Sequence, residues 1–366
     1  MEPWGKGHTP MPHHPLYSTS RPLYRTLRVA YPPGRGRLVL RTELDWDRDI
    51  TPAEVSPDGA MSTFVLEARQ PFIYFKPCLI ESGHLHWSRG ANKLVAMEEP
   101  DTRIVYPYFF DGHDGRLTDV AVFHSQILGR AHRVRAFLPA GYDENTLTRY
   151  RAAYMQDGQN LFMPEEAFLG RDWDVDGMTR TLYSMSALEE IVFIGIHSDD
   201  RMRDYTCPGY TAYSQSLAYE LVPAVERQLR LFERRECRSV WGSSLGGVVS
   251  FHTVWQHPDV FGIGVCMSST FSHRDDLIER VLSEPPPNVG FYLDSGWPGD
   301  NYEVTLAMAM ALVQRGFEFG RNVMHLAFPL ARHDEAAWST RLHVPMQIVN
   351  GSVARASRHV KPVLRV

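Results

Sequence analysis

A serine in a turn framed by glycines is the first feature of this sequence that suggests a reaction. The run 239–247 reads Ser-Val-Trp-Gly-Ser-Ser-Leu-Gly-Gly and contains the pattern G-x-S-x-G with Ser244 at its centre. A short apolar stretch precedes the pattern, and apolar residues at helical spacing follow it up to Pro258. This order of strand, sharp turn and helix is typical of a nucleophile elbow. We therefore predict Ser244 as a nucleophile that attacks an acyl carbon, and we expect Ser243 only to pack or to form a local hydrogen bond.

The glycines of the pattern have a physical reason. The nucleophile of such an elbow lies in a strained turn, so Gly242 and Gly246 are expected where the strand and helix backbones come too close for side chains. The helix that begins just after Ser244 directs unpaired N–H groups and a positive dipole end toward the developing oxyanion.

The base that activates this serine is expected downstream. Where a nucleophile elbow of this kind occurs, the acid and then the histidine follow the serine along the chain. His333 is the best candidate, since it follows the strand-like run 323–328 and a short turn and precedes the start of a predicted helix. His325 would point from inside that strand. His252 and His257 belong to the predicted elbow helix, so structural roles are expected for them.

Three acids compete to orient His333. Asp300 lies in the predicted loop after the strand 290–293, where its carboxylate could reach the imidazole and select the tautomer that accepts the serine proton. Asp294, at the end of that strand, is the second choice and is otherwise expected to brace the loop through backbone amides. Glu303 is expected to begin the next helix as a favourable first-turn charge.

The chain contains two main regions whose sequence patterns differ, and the candidate residues lie in the second. Residues 1–22 predict a flexible extension, and residues 23–112 carry short alternating runs and turns typical of a small all-β, immunoglobulin-like sandwich. From 113 to 352, apolar runs alternate with amphipathic stretches, which predicts an α/β-hydrolase fold with a mainly parallel sheet and flanking helices; 353–366 is a tail. The candidate strands of this catalytic domain are 120–128, 133–138, 152–155, 191–196, 239–242, 262–267, 290–293 and 323–328. A helix is expected around Leu217, Leu221, Val225 and Leu229, which repeat at four-residue spacing.

Composition excludes several classes of protein. The 366 residues are 43% hydrophobic and 22% charged with a formal net charge of -5, which is ordinary for a globular protein and gives no reason to expect a nucleic-acid partner. Four widely spaced cysteines show no metal-ligand rhythm, and no metal or cofactor is expected. No apolar run has the length of a membrane helix or a signal peptide, so no membrane partner and a cytoplasmic location are the expectation. Nothing in the sequence indicates the oligomeric state.

A segment upstream of the elbow resembles a known family. The run 154–162, Tyr-Met-Gln-Asp-Gly-Gln-Asn-Leu-Phe, is similar to the "DGQN" loop of the "Putative esterase" family, which includes enterochelin esterases, esterase D and the mycolyltransferase antigens. Gly195-Ile196-His197 with the run 203–206 resembles the family's "GI…R…EYT" run. His333 with Trp338 resembles that family's C-terminal histidine region. The resemblance covers residues 118–350.

The resemblance implies a site and a substrate class. By analogy with the family, the backbone N–H groups of Gln159 and Leu245 would form an oxyanion hole, and Asp157 and Asn160 would hold the loop. A β-sandwich before such a domain looks like the arrangement of enterochelin esterases, whose sandwich helps to cover the active site, so the resemblance implies a siderophore ester as substrate. Substrate contacts are expected from Arg203 with Arg201, from Trp173 and from Trp297.

The sequence leaves three functions open. The first is hydrolysis of a small-molecule carboxylic ester through an acyl-Ser244 intermediate. The second keeps the same residues but acts on feruloyl or acetyl esters of polysaccharides, or transfers the acyl group to an alcohol. The third is a non-catalytic ligand-binding protein, against which the ordered Ser, Asp and His candidates argue.

Overall fold

The computed structural model describes residues 18–97, 104–112 and 114–351. Most of the predicted extension at 1–22 and the whole predicted tail at 353–366 lie outside the described residues. The chain divides into two units, the first formed by residues 1–113 with 140–148 and the second by 114–139 with 149–366.

The first unit contains two β-sheets. In the described residues, one sheet has the strand order β4-β5-β1-β9, and the other has the order β3-β2-β6-β7 with β8 beside β6. The strands are β1 (Leu23–Ala30), β2 (Arg37–Thr42), β3 (Asp45–Ile50), β4 (Glu54–Val55), β5 (Met61–Ala68), β6 (Phe72–Glu81), β7 (His84–Trp87), β8 (Lys93–Ala96) and β9 (Ile104–Val105).

Alternating side chains of both sheets share one hydrophobic cluster in this unit. In β5, for example, every second residue is buried, and Phe64 and Leu66 contribute to a cluster that also contains Leu40 and Phe75 of the other sheet. This period of two is what a strand with one buried face requires. The immunoglobulin-like topology expected for this region stays a prediction.

Residues 140–148 belong to the first unit, although the sequence-based boundary at 112 assigns them to the catalytic domain. The reason is a set of hydrogen bonds with residues far upstream. The Glu144 carboxylate accepts the backbone N–H groups of Phe109, Phe110 and Asp111 at 2.7–2.8 Å, and the Asn145 amide donates to the carbonyl of Ala30 at 3.0 Å. Short-range sequence patterns do not reveal such long-range bonds.

The second unit is built on a mixed sheet that is nine-stranded within the described residues, with the order β10-β12-β14-β13-β15-β16-β17-β18 and β11 beside β12. Its strands are β10 (Arg116–Leu117), β11 (Ala121–Ser125), β12 (Arg130–Leu138), β13 (Arg151–Met155), β14 (Ile191–Ile196), β15 (Arg238–Ser243), β16 (Ile263–Met267), β17 (Gly290–Trp297) and β18 (Val323–Pro329). The pairings from β14 to β18 are parallel.

The expected mainly parallel sheet needs a correction at one end. Strand β12 pairs antiparallel with β10, β11 and β14. The candidate strand 120–128 ends at Ser125, because residues 126–129 turn directly into β12 with Gly129 at a φ of 65°. A connection this short allows only an antiparallel neighbour.

Helices connect the parallel strands and also follow the last of them. They are α1 (Val175–Ser184), α2 (Arg201–Asp204), α3 (Gly209–Ser216), α4 (Val222–Gln228), α5 (Leu245–Gln256), α6 (Leu277–Ser283), α7 (Tyr302–Gln314), α8 (Glu335–Arg341) and α9 (His343–Asn350), with a π-helical turn at Leu217–Leu221 between α3 and α4. The helix expected around Leu217 is present, but it ends at Gln228, so Leu229 lies beyond it in an extended conformation. Pro223, whose missing N–H cannot donate to the carbonyl four residues earlier, lies in the first turn of α4, just after the π-helical turn.

Neither a membrane span nor a metal cluster occurs in the part of the chain that the structure describes. No helix there is long and apolar enough to cross a membrane. No group of three or more His, Cys, Asp or Glu side chains within the same ranges is arranged to hold a metal ion.

Candidate active site

The chemically interesting side chains lie after the carboxyl ends of adjacent parallel strands. Ser244 follows β15, Ser268 follows β16, Asp300 follows β17 and His333 follows β18. Because parallel strands end at the same edge of a sheet, these residues reach one region although they are far apart in sequence. The turn Gly158–Asn160, after β13, ends at the same edge.

Ser244 occupies a strained position between β15 and α5. Its φ of 55° and ψ of -125° are unusual for a residue with a side chain, and such a conformation costs on the order of 1–3 kcal/mol. Its N–H donates to the Met267 carbonyl at 3.0 Å, while its own carbonyl accepts the N–H groups of Gly247 and Val248 at the start of α5. The surrounding bonds therefore hold the serine in a geometry that an isolated chain would avoid.

The glycines around Ser244 are required by close approaches. A Cβ atom on Gly242 would lie 2.3 Å from the carbonyl oxygen of Gly246, which is the strand-to-helix approach expected from the sequence. A Cβ on Gly246 would instead lie 3.0 Å from the Asp157 carboxylate. The second glycine therefore makes room for the loop after β13, a reason that the pattern alone does not give.

His333 and Asp300 are brought together. The Nδ1 atom of His333 lies 2.7 Å from Oδ1 of Asp300, and the His333 side chain is 32% exposed while that of Asp300 is fully buried. A carboxylate at Nδ1 favours the tautomer with the proton on that atom, which leaves Nε2 free to accept a proton. The edge of the Trp338 ring packs against the imidazole with centroids 5.2 Å apart.

Asp300 is held as an anion. Burial acts to raise the pKa of its carboxyl, but hydrogen bonds from His333, Ser268 and the N–H groups of Gly296 and Asn301 lower the pKa well below its ordinary range. The Ser268 hydroxyl donates at 2.5 Å, Gly296 at 2.7 Å and Asn301 at 2.8 Å. A carboxylate with this many donors stays charged and keeps one orientation.

The two competing acids lie elsewhere. Strand β17 continues to Trp297, so Asp294 lies inside the strand and not at its end, and it pairs with Arg341 at 3.0 Å instead of bracing a loop. Burial raises the pKa of Asp294, and the guanidinium of Arg341 opposes that effect. Glu303 is in the first turn of α7, as the sequence indicates.

The other histidines of the downstream region have structural partners. His325 lies in β18 with Nε2 3.1 Å from the Thr305 hydroxyl, and His252 stacks on Tyr210 with ring centroids 3.9 Å apart. Burial is the main cause that lowers the pKa of each of these two imidazoles. His257, just after α5, lies 3.1 Å from the Ser214 hydroxyl.

Two candidate oxyanion donors come from two elements: the backbone N–H of Gln159 from the turn after β13, and that of Leu245 from the start of α5. The side chain of Gln159 is locked to Ser198, since its amide donates to the hydroxyl at 2.8 Å and its carbonyl accepts the Ser198 N–H at 3.0 Å. Within the described residues, the backbone N–H groups of Gln159 and Leu245 have no backbone acceptor. For Leu245 this follows from its place as the first residue of α5.

Asp157 and Asn160 shape this turn. Asp157 is buried with a left-handed φ of 55° and forms an ion pair with Arg201 at 3.1 Å. Burial raises the pKa of Asp157, and Arg201 opposes the effect. The Asn160 side chain accepts the Phe168 N–H at 3.0 Å. Arg201, and not Arg203, therefore contacts the turn; Arg203 is half exposed and bonds to the adjacent Asp204 at 2.9 Å.

The two tryptophans expected to contact substrate differ in environment. Trp173 is 2% exposed and packs against Trp338 with ring centroids 5.7 Å apart, so the expectation that it lines a cleft needs correction: it is a core residue behind the ring that contacts His333. Trp297 is 52% exposed and lies three residues before Asp300, so a substrate contact for it stays a prediction.

Two polar residues beside Asp300 were missed by sequence reasoning. Ser268 donates to Asp300, and the buried Arg341 donates to Ser268 at 2.6 Å. A usable signal for Ser268 existed, because Ser268-Ser269-Thr270 is a polar run directly after a buried strand. Arg341 gave none, since an arginine near the end of a helix normally lies at the surface.

The comparisons with known proteins agree with this architecture. The family model described as "Putative esterase" matches residues 125–344. The uncharacterized protein YjcH of Bacillus subtilis (strain 168) is 28% identical over 179 residues, which are 48% of this chain and 70% of YjcH.

Two solved structures share the fold. A ferulic acid esterase superposes with a TM-score of 0.55 at 17% identity and covers 67% of this chain and 100% of its own. The enterobactin esterase of Shigella flexneri superposes with a TM-score of 0.54 at 15% identity and covers 90% of this chain and 94% of its own. The family match spans more than half of the chain and includes Ser244, Asp300 and His333. This protein therefore belongs to the "Putative esterase" family of α/β-hydrolase-like, ester-cleaving hydrolases.

Proposed function

We propose that this protein is a serine carboxylic-ester hydrolase that forms an acyl intermediate on Ser244. The observation that carries the proposal is the bond between His333 and Asp300 on loops after β18 and β17, at the sheet edge where Ser244 lies in its strained turn. An ionised acid that orients a half-buried histidine is what activation of a serine hydroxyl requires.

The reaction proceeds in two halves. The Ser244 hydroxyl oxygen attacks the ester carbonyl carbon and its proton passes to Nε2 of His333, while the N–H groups of Gln159 and Leu245 bind the oxyanion. Collapse of this intermediate breaks the bond to the alcohol, which leaves with the proton from His333. Water then attacks the acyl-enzyme with His333 again accepting a proton, and collapse of this second intermediate returns the proton to Ser244 and releases the carboxylic acid.

A siderophore ester of the enterochelin type is the proposed substrate. Support comes from the enterobactin esterase of S. flexneri, whose fold is shared over 90% of this chain and so extends beyond the region of the family model. The exposed ring of Trp297 and the guanidinium of Arg203 offer stacking and charge for an aromatic, anionic ligand. The segments proposed with this function are an immunoglobulin-like sandwich at 23–112 and a catalytic domain at 113–352, except that residues 140–148 belong to the first unit.

A feruloyl or acetyl ester of a polysaccharide is the second candidate. It is favoured by the ferulic acid esterase fold, all of which is matched by this chain. Transfer of the acyl group to an alcohol would use the same residues and differs only in the acceptor.

The test is a panel of aryl, feruloyl and ferric-siderophore esters assayed with three proteins: wild type, Ser244→Ala and Ser243→Ala. Ser243 is the matched control because it is a buried serine one residue away that belongs to β15. We expect Ser244→Ala to lose at least about 10⁴-fold in kcat/KM and Ser243→Ala to retain activity. Labelling by a fluorophosphonate should also require Ser244. If wild type cleaves none of the esters, or if Ser244→Ala cleaves them as fast as wild type, the proposal fails.

A further inference from the structure

We propose that Ser268 is a positioning residue for Asp300 and that the buried ion pair of Arg341 and Asp294 fixes the direction of the Ser268 hydroxyl. The proposal rests on the function proposed above, in which Asp300 orients His333. It also gives Asp294 a defined place beside the site.

The Ser268 hydroxyl has three neighbours of known polarity. Its Oγ lies 2.6 Å from Nη2 of Arg341, 3.0 Å from Nε1 of Trp338 and 2.5 Å from Oδ2 of Asp300. Guanidinium and indole N–H groups can only donate, so they take both acceptor sites of the hydroxyl oxygen. The single hydroxyl proton therefore has one remaining direction, which is toward Asp300.

The backbone of Ser268 is equally fixed. The residue is fully buried with a left-handed φ of 43°. Its N–H donates to the Asp294 carbonyl at 2.8 Å, and its own carbonyl accepts the side-chain amide of Asn301 at 2.8 Å. Ser268 is thus a rigid donor, and it links the end of β16 to the loop that carries Asp300.

The ion pair of Arg341 and Asp294 lies next to Ser268 and determines how much positive charge is near Asp300. Arg341 is 3% exposed and donates to Oδ1 of Asp294 from Nε at 3.2 Å and from Nη2 at 3.0 Å, while the Tyr292 hydroxyl donates to Oδ2 of Asp294 at 2.8 Å. The same Nη2 lies 3.8 Å from Oδ2 of Asp300. Asp294 therefore accepts hydrogen bonds from Nε and Nη2 of Arg341, and the shorter path from Nη2 to Asp300 runs through the Ser268 hydroxyl.

This arrangement divides the work between the two oxygens of Asp300. Oδ2 is anchored by Ser268 and by the Gly296 N–H, so the carboxylate has a fixed rotation. Oδ1 then faces His333. Without the Ser268 hydroxyl, Oδ2 keeps one donor, so the orientation of Asp300 and His333 loosens and the pKa of Asp300 rises.

The experiment removes this hydroxyl in the full-length protein. Ser268→Ala is compared with Ser239→Ala, a matched control in which another buried serine loses a bond from an indole N–H, here that of Trp241 at 2.7 Å, at the opposite end of β15 from Ser244. We expect Ser268→Ala to lower kcat about tenfold or more with little change in KM. We also expect the acid limb of its kcat/KM profile to move to higher pH, since that limb reports the coupled Asp300 and His333 pair. Ser239→Ala should keep the wild-type profile.

Two additions keep the result decisive. If Ser268→Ala folds poorly, Ser268→Gly removes the same hydroxyl with a residue suited to a φ of 43°. The low-field proton NMR resonance of His333 Nδ1–H is recorded for each variant, because it reports the bond to Asp300 without any turnover. We expect it to shift or broaden when the Ser268 hydroxyl is absent.

The outcomes separate this inference from the proposed function. Wild-type activity that does not depend on Ser244 would refute the proposed function, and the NMR comparison would still test Ser268. Ser244-dependent activity with an unchanged kcat, acid limb and His333 resonance in the Ser268 variants would overturn the inference alone. In Asp294→Asn the uncompensated guanidinium should move the acid limb the opposite way, to lower pH; a shift to higher pH or none overturns the part assigned to the ion pair.

Discussion

Replacement of Asp300 by asparagine is the sharpest test of the proposed charge arrangement, because the structure predicts which way the new amide will face. Oδ1 of Asp300 meets His333 and the Asn301 N–H, while Oδ2 meets Ser268 and the Gly296 N–H. If the amide nitrogen took the place of Oδ2, it would face two other donors, the Ser268 hydroxyl and the Gly296 N–H, and the backbone N–H cannot reorient. If the amide nitrogen took the place of Oδ1, it would face the Asn301 N–H as a second donor. His333, however, can change tautomer, so that its Nδ1 accepts a hydrogen bond from the amide.

The amide nitrogen of Asp300→Asn should therefore face His333 and hold it with its proton on Nε2. That tautomer cannot take a proton from Ser244. Serine hydrolases with this change lose about 10⁴-fold in kcat, which corresponds to about 5 kcal/mol of transition-state stabilisation. The opposed Asn301 N–H should in addition lower the free energy of unfolding by about 1–3 kcal/mol.

The assay is steady-state hydrolysis of an activated aryl ester together with chemical denaturation. Asp176→Asn is the matched control, since Asp176 is a buried helical carboxylate paired with Arg180 at 2.8 Å. A kcat for Asp300→Asn within tenfold of wild type, in a folded protein, would refute the assignment of Asp300 as the acid that orients His333.

Three further predictions concern the oxyanion turn, the first unit and substrate contact. Gly158→Ala places a Cβ 2.5 Å from the Gly195 backbone, so kcat should fall by about 10²-fold or more while Gly112→Ala, with open space around it, stays active. Burial acts to raise the pKa of Glu144, but hydrogen bonds from backbone N–H groups outweigh it and lower the pKa below its ordinary value of 4.5. The contribution of Glu144 to stability is therefore fully present above pH 4.5 and is lost as pH falls through the lower pKa of the folded state. Glu144→Gln should accordingly unfold at lower denaturant concentration than wild type at pH 7, and the difference should shrink below pH 4.5. Trp297→Ala should raise KM severalfold for aromatic esters and leave that for acetyl esters unchanged; equal KM changes for both would exclude a stacking role.

Much of the candidate site could be predicted because its signals are local. The G-x-S-x-G pattern between an apolar strand and an apolar helix placed Ser244, and the chain order of acid and histidine pointed to loops after later strands. Strand ends of a parallel sheet converge regardless of sequence distance, so the sequence could pair His333 with Asp300 as the first choice of acid. The family resemblance, confirmed by the family model, rests on the same short runs.

Other features depended on contacts between distant parts of the chain. The sequence alone placed Ser244 in an elbow and His333 beyond the last strand, but it left Asp294 and Asp300 as alternatives. In the tertiary structure Asp300 contacts His333, whereas β17 extends to Trp297 and takes Asp294 into the sheet, where it pairs with Arg341 from α8. The tertiary structure likewise buries Trp173 against Trp338. Local patterns specify strands and turns, whereas the partner of a buried charge is selected by the packing of elements that the chain brings together only on folding.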